Sequence, residues 1–170
     1  MNISAIVYTS GTGHTRQYAQ LLGLRSGLPV YALSEAEREL TAGTAIVYLG
    51  WVHASHVKGF DRAAKRFSVQ VVCGVGLCDT GTMLQEVRQA TKLPERIPLF
   101  TLQGGINRKE LRGMDKLLIA MLTKGLAGKK DRAPQDDRML TLLQTDASYV
   151  SEENLSGILE WLSRETEKVE

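Results

Sequence analysis

The chain reads as a three-layer α/β domain: a five-stranded parallel sheet with helices on both faces and a helical insert after the fifth strand. Three observations predict this. Over residues 1–103, short apolar runs alternate one for one with stretches of helical spacing, and parallel neighbours need such crossover helices. The apolar runs are nearly continuous, as strands buried on both faces are. Strands one, three, four and five each run into a glycine-containing loop, the punctuation expected between strand and helix.

Ile3–Tyr8 is short, β-branched and bounded by turn residues, and is the first strand. Thr12–Leu24 has helical spacing, with Tyr18, Ala19, Leu21 and Leu22 on its apolar side, and Gly27 breaks it. Leu28–Leu33 is the second strand. Ser34, with Glu37 three residues on, fits a capping box for a short helix through Leu40. Thr44–Leu49 is the third strand, closed by Gly50. Gly59–Phe67 is helical, with Phe60, Ala63, Ala64 and Phe67 in register. Ser68–Cys73 is the fourth strand, Thr80–Lys92 a helix, and Ile97–Gln103 the fifth strand, ending in Gly104-Gly105.

There the alternation stops. Asn107–Leu126 reads as a long helix, Lys129–Arg138 as a polar loop, and Arg138–Thr145 as a short helix or an irregular stretch. Ser151-Glu152-Glu153-Asn154 opens a last helix through Glu167, its first-turn acids favoured by the helix dipole. Leu155, Ile158, Leu159 and Leu162 form its apolar face. No repeat or low-complexity linker divides the chain, so 1–170 is one domain with an insert near 104–146.

Composition narrows the classes. A chain of 170 residues can bury a substantial core, and 43% hydrophobic with 24% charged residues belongs to an ordinary globule. No apolar run approaches the roughly 18 residues of a membrane span. Met1–Tyr8 is too short, and lacks the basic start, for a signal peptide. Two cysteines cannot form a disulfide framework, so a reducing, cytoplasmic setting is expected. The net charge of +2 conceals an asymmetry. Residues 104–145 hold nine Lys/Arg against five Asp/Glu, a net +4, and the remainder is net −2. A solvated helix face accounts for such a segment, and no nucleic-acid partner is expected.

If the alternation holds, the loops Thr9–Thr15, Gly50–Lys58 and Gly74–Thr80 share one sheet edge. Ligands of open parallel sheets bind beyond the carboxyl ends of the strands, where strand order reverses. The segment Tyr8-Thr9-Ser10-Gly11-Thr12-Gly13-His14-Thr15 aims backbone N–H groups and hydroxyls at one point, with the positive end of a helix behind them. That suits a phosphate; a capped turn without ligand is the other account. The segment is not a P-loop, because no Lys precedes the Thr. Nor is it a dinucleotide fingerprint: Arg16 stands where the third glycine belongs, and Asp79 does so after Gly74-Val75-Gly76. His53-x-x-His56 and Cys73-x-x-x-x-Cys78 offer zinc-ligand types at a non-standard spacing, so no metal site is expected. No nucleophile–base pair points to hydrolysis.

The same segment, with Ala19 further along the helix, resembles the flavodoxin signature: an aromatic residue, then S/T-x-T-G-x-T, then a small helix residue. The resemblance covers 1–103 and the last helix. It implies a flavodoxin-like fold, strand order 2-1-3-4-5, and FMN as cofactor. Carried over, Thr9, Ser10, Gly11, Thr12, Gly13, His14 and Thr15 make the phosphate loop. Ser10, Thr12, Gly13 and Thr15 would be the phosphate ligands, and His14 would add an N–H and, when protonated, charge. The family's two ring-contacting loops would be Gly50-Trp51-Val52-His53-Ala54-Ser55 and Gly74-Val75-Gly76-Leu77-Cys78-Asp79. Trp51 would stack on or flank the isoalloxazine, or pack at the strand end. Glycines at 74 and 76 would let backbone amides approach the ring and tune its potential. Asp79 would close the second loop, with capping of the next helix as its first expected role.

Gly104-Gly105-Ile106-Asn107-Arg108, then Leu111 and Met114-Asp115-Lys116-Leu117-Leu118, is similar to the insert of flavodoxin-type protoporphyrinogen oxidases of bacteria. Val47-Tyr48-Leu49-Gly50 also fits. Electron-shuttling flavodoxins are typically acidic, for docking basic partners, and this chain departs from that. The expectation is an FMN-dependent oxidoreductase with a porphyrinogen- or quinone-type partner. A non-catalytic electron carrier serving a redox partner protein stays open, as does a flavin-free binding or regulatory domain. Leu117–Leu122 is apolar around more than one face. Beside Arg108, Lys109, Arg112, Lys116 and Lys124 it suits a lipophilic, carboxylate-bearing substrate, an anionic lipid surface, or packing on the sheet edge.

Overall fold

The computed structural model describes residues 2–167. In chain order the elements are β1 (Ala5–Thr9), α1 (His14–Ser26), β2 (Val30–Ala32), α2 (Leu33–Glu39), β3 (Ala45–His53), β4 (His56–Val57), α3 (Phe60–Arg66), β5 (Ser68–Gly76), α4 (Leu84–Thr91) and β6 (Leu99–Gln103). Then come β7 (Gly105–Ile106), α5 (Gly113–Ala127), α6 (Pro134–Gln144), β8 (Ala147–Ser148), a 3-10 turn (Glu153–Leu155) and α7 (Ser156–Glu167). The architecture is α/β around a mostly parallel sheet of six strands. Its path is β2-β1-β3-β5-β6, all parallel, with β4 antiparallel to β3. The order therefore differs from the expected 2-1-3-4-5. His56–Val57 reads as loop in the sequence, yet folds back on β3 and takes fourth place in the chain.

Strand alternation distributes the core. Ala5, Val7, Ile46, Tyr48 and Val72 point to one face, where Ala36 of α2, Phe60 and Ala63 of α3 and Val87 of α4 cover them. Ile6, Val47, Leu49, Val71, Cys73 and Val75 point to the other, against Tyr18, Ala19 and Leu22 of α1 and Ile158 and Leu162 of α7. Both faces of β1, β3 and β5 are thus withdrawn from water, which is why those runs are continuously apolar. Each fully buried Leu or Ile contributes about 2 kcal/mol of transfer free energy. Pairing slips at Gln70: Ile46 faces Val69 and Val47 faces Val71, a bulge that keeps both flanking valines in register with the core.

Several boundaries move. The expected loop after strand three is strand as far as His53, followed by a hairpin. Strand four runs through Gly76, not Cys73. The Ser34/Glu37 capping box does not form: α2 starts at Leu33, and Glu37 is instead held by the Arg62 guanidinium. The helix expected from Thr80 begins only at Leu84, because residues 79–83 are stitched as a loop onto β6. Gly81 N–H donates to the Thr101 carbonyl (3.0 Å), Thr101 Oγ1 to the Thr82 carbonyl (2.6 Å), and Gln103 N–H to Thr80 Oγ1 (2.9 Å). Asp79 caps nothing there: Met83 is the N-cap residue, and it makes no side-chain cap bond.

The insert is closed at its base by the two-stranded sheet of β7 and β8. Arg108 reinforces it, its N–H donating to Asp146 Oδ1 (2.7 Å) and its Nη1 to the Gln144 carbonyl (2.9 Å). Within the insert, α5 starts at Gly113, later than expected. Part of the expected polar loop is helix, since α6 begins at Pro134. Asp136 Oδ2 accepts from the Ala133 N–H (2.9 Å) and from Lys129 Nζ (2.5 Å), fixing the α6 N-terminus. No helix among the described residues is long and apolar enough to cross a membrane.

Candidate functional site

Beyond the carboxyl ends of β1, β3, β5 and β6 lies a cavity of about 440 Å³, a volume typical of small-molecule sites. The strand ends supply Trp51, Val52, His53 and Gly74 to Gly76. The 77–83 loop supplies one wall and Thr12, His14 and Thr15 another. The insert supplies the roof: Leu118, Ile119, Leu122 and Leu126 from α5, Met139 and Leu143 from α6. Most of the lining is apolar. Polar side chains stand at the 12–15 end, at His53 and Ser55, at Cys78, Asp79 and Thr82, and at Thr101 and Asp115.

The structure brings fourteen of the nineteen residues of these three loops to this cavity: Thr12, His14, Thr15, Trp51, Val52, His53, Ala54, Ser55, Gly74, Val75, Gly76, Leu77, Cys78 and Asp79. Five lie elsewhere. The Thr9 hydroxyl is 2.8 Å from the Tyr48 hydroxyl, which also donates to the Lys58 carbonyl (2.7 Å). Burial pushes the Tyr48 phenol up to about 12. Ser10 turns back on its own loop, its Oγ accepting from the Gly13 N–H (3.2 Å) and the Arg16 N–H (3.4 Å). Gly11 lies against the Trp51 indole, where a Cβ would come within 3.3 Å of Cε2. Gly13 takes the left-handed conformation that starts α1 (φ 95°). Gly50 is packing: a Cβ there would meet the Lys58 carbonyl oxygen at 2.5 Å, so it lets the chain return beside β3.

Two side-chain expectations are revised. His14 is buried, with Nδ1 3.2 Å from Thr12 Oγ1. Burial pulls its pKa below the ordinary histidine value, outweighing the opposing field of Glu110. Burial thus favours the neutral ring, which offers hydrogen bonding rather than charge. Gly74 is small because Val52 occupies the space, a Cβ coming 3.0 Å from Val52 Cγ2; at Gly76 a Cβ would make only ordinary contacts, 3.5 Å to Val52 Cβ and 3.8 Å to its Cγ2.

The turn between β3 and β4 carries strain. Ala54 (φ 48°) and Ser55 (φ 62°) both take the left-handed conformation of a two-residue hairpin, and both line the cavity. Such turns prefer Asn-Gly, and each non-glycine residue costs about 1 kcal/mol. The missing Asn-Gly signal is why this segment reads as loop in the sequence. The hairpin is held by the Lys58 N–H donating to the Trp51 carbonyl (3.0 Å) and the Val57 N–H donating to Thr91 Oγ1 (3.0 Å). Lys58 Nζ also lies 5.9 Å from the Trp51 ring centre.

His53 reaches across the cavity. Its Nε2 is 3.4 Å from Asp115 Oδ1, a polar contact that ties α5 to the strand ends. His56 looks elsewhere, to Asp61 Oδ2 (3.5 Å) and the Ala90 carbonyl (3.2 Å). Cys73 is wholly buried in β5, and burial pushes its thiol up to about 12. The histidines and cysteines therefore do not converge. Among the described residues no three His, Cys, Asp or Glu are grouped to hold a metal.

Residues that the sequence reading did not single out include Thr101, Met139 and Leu143. For α6 a signal existed: Met139, Leu142 and Leu143 at helical spacing, overridden by the polar residues before them. Cys78 lines the cavity, and its thiol is raised by burial, then by Asp79 and Glu86. One cysteine is thus expected to react in the folded protein and two in denaturant. Cys78 should label slowly at pH 7 and faster at higher pH, and a ligand in the cavity should slow it. Two fast thiols in the native state would contradict the burial of Cys73.

Comparison with protein-family models, with curated proteins and with solved structures finds no match for this chain.

Proposed function

We propose that this protein is a flavodoxin-like oxidoreductase that holds FMN at the sheet edge. The observation that carries the reading is convergence. A Ser-x-Thr-Gly-x-Thr segment at the end of β1 opens into the same cavity as the 51–53 and 74–79 segments. FMN fits these residues in kind. Thr12 and Thr15 offer hydroxyls at the N-terminus of α1, where the helix field favours a phosphate. Trp51, Val52 and the backbone of 74–76 line an apolar slot for a flat ring. Among the described residues no buried side-chain N or O atom lacks a partner, so the case rests on cavity shape and donors. FMN, when bound, would supply reversible uptake and release of electrons.

The chain's own residues suggest the rest. Leu118, Ile119, Leu122 and Leu126 would exclude water from the ring side and accept a lipophilic partner of porphyrinogen or quinone type. The His53–Asp115 pair would set how far α5 stands from the strand ends. A roofed cavity favours an enzyme acting on a small molecule over a carrier, which must present its flavin to a protein. The self-bonded Ser10 favours the flavin-free reading, because part of the loop is satisfied without a phosphate. Two free cysteines suit a reducing cytoplasm. The test is a visible spectrum of the purified protein before and after FMN addition and desalting. Retained flavin bands, shifted from free FMN, are expected. A colourless protein would remove both redox readings and leave a binding domain.

A further inference from the structure

We propose that the outer face of α5 docks this protein on an anionic lipid surface. The helix is apolar on two faces, and they have different surroundings. Leu118, Ile119 and Leu122 line the cavity. Met114, Leu117 and Met121 do not, and they are 73%, 52% and 63% exposed. No residue of α5 is buried. Exposed apolar side chains are ordinary when scattered singly. Here three recur at i, i+3 and i+7. At 100° per residue they fall in one sector about 60° wide; on the side away from the cavity Lys124 lies about 20° beyond its border and Lys116 about 100° beyond it.

Charge selects the occupant. The only acid of α5, Asp115, is turned under the helix to His53. Lys129 and Arg132 are neutralised by Asp136 and Asp137. Arg112, Lys116, Lys124 and Lys130 have no ion-pair partner among the described residues. An apolar row bordered by Lys124, on a segment whose other unpaired cations include Arg112, Lys116 and Lys130, is the chemistry of an interfacial helix. Methionine and leucine enter the acyl boundary, lysine stems lie along it, and ammonium heads meet lipid phosphates. A second copy of this chain would bring the same cations face to face across a twofold interface, which disfavours it as the cover. At 15 residues α5 lies on such a surface and does not cross it.

This proposal does not rest on the flavin reading, because it uses the face of α5 turned away from the cavity. The test is sedimentation of the full chain with phosphatidylglycerol–phosphatidylcholine vesicles and with pure phosphatidylcholine vesicles. Partition into the anionic vesicles, falling as salt rises, is the expected result. Leu117→Glu with Met121→Glu should lower it at least tenfold. Lys116→Gln with Lys124→Gln, a change that leaves every apolar contact, should lower it roughly fivefold per lysine. Wild-type protein left in the supernatant would overturn the proposal. So would equal binding to neutral vesicles, equal binding by both double variants, or a lipid-independent dimer that the glutamate variant dissociates. Loss of FMN binding with vesicle binding intact would count against the flavin reading alone.

Discussion

Gly105→Ala is expected to destabilise the protein by about 3 kcal/mol or more and to abolish the roofed cavity. A Cβ at this position would lie 1.9 Å from the Ala147 carbonyl oxygen and 3.0 Å from His14 Nε2. The obstructing atom is backbone, paired in the β7–β8 ladder, so it cannot swing aside as a flexible side chain would. Relief requires β7 and β8 to separate, and that pair is what closes the insert carrying α5 and α6. Gly125→Ala is the control. It lies in the same insert, within α5, with nothing within 4 Å of the added methyl. It should be neutral or stabilise by about 0.5–1 kcal/mol, since alanine is the better helix former. Denaturant unfolding of the two variants decides. Equal midpoints would mean that the β7–β8 contact is looser than described.

Thr12→Val with Thr15→Val is expected to weaken FMN binding by about a hundredfold or more, with little change in fold. The substitution keeps shape and removes two hydroxyls at the polar end of the cavity. A hydrogen bond to a charged group is worth about 1.5–3 kcal/mol. Ser10→Ala makes a useful contrast. Its Oγ already accepts the Gly13 and Arg16 N–H groups, so its loss should cost about 1 kcal/mol of stability, as a lost helix cap does. Titration of the three proteins with FMN, read by flavin fluorescence, separates the cases. Unchanged affinity in the threonine pair would remove the phosphate-loop assignment.

What was legible in the sequence was local. The alternation of apolar runs gave the parallel strands, because burial on both faces leaves a continuous apolar signature. Gly27 and Gly59 marked helix ends correctly, since left-handed backbone at those points favours glycine. The N-terminal loop was placed at the mouth of a cavity for the same reason: a strand, a glycine turn and a helix start are consecutive in the chain. Strand ends were read short at His53 and Gly76, because glycine looks like a terminator even where it allows close packing, as Gly50 and Gly74 do.

The roles of single residues were decided only in three dimensions. Thr9 and Ser10 belong to the same motif as Thr12 and Thr15, yet Tyr48, 39 positions away, draws off the first, and the loop's own amides draw in the second. The His14 pKa is lowered by burial, and burial depends on what packs above the ring. The cavity roof is the clearest case: it exists because β7 meets β8 across the insert and His53 meets Asp115 across the cavity. By itself the sequence determined the layers, the parallel strands and the hydroxyl loop, since each leaves a pattern only a few residues long in the chain. Tertiary structure decided which hydroxyls face the cavity, which histidine is buried and which face of α5 stays in water. Those depend on groups far apart in the chain that share no periodicity.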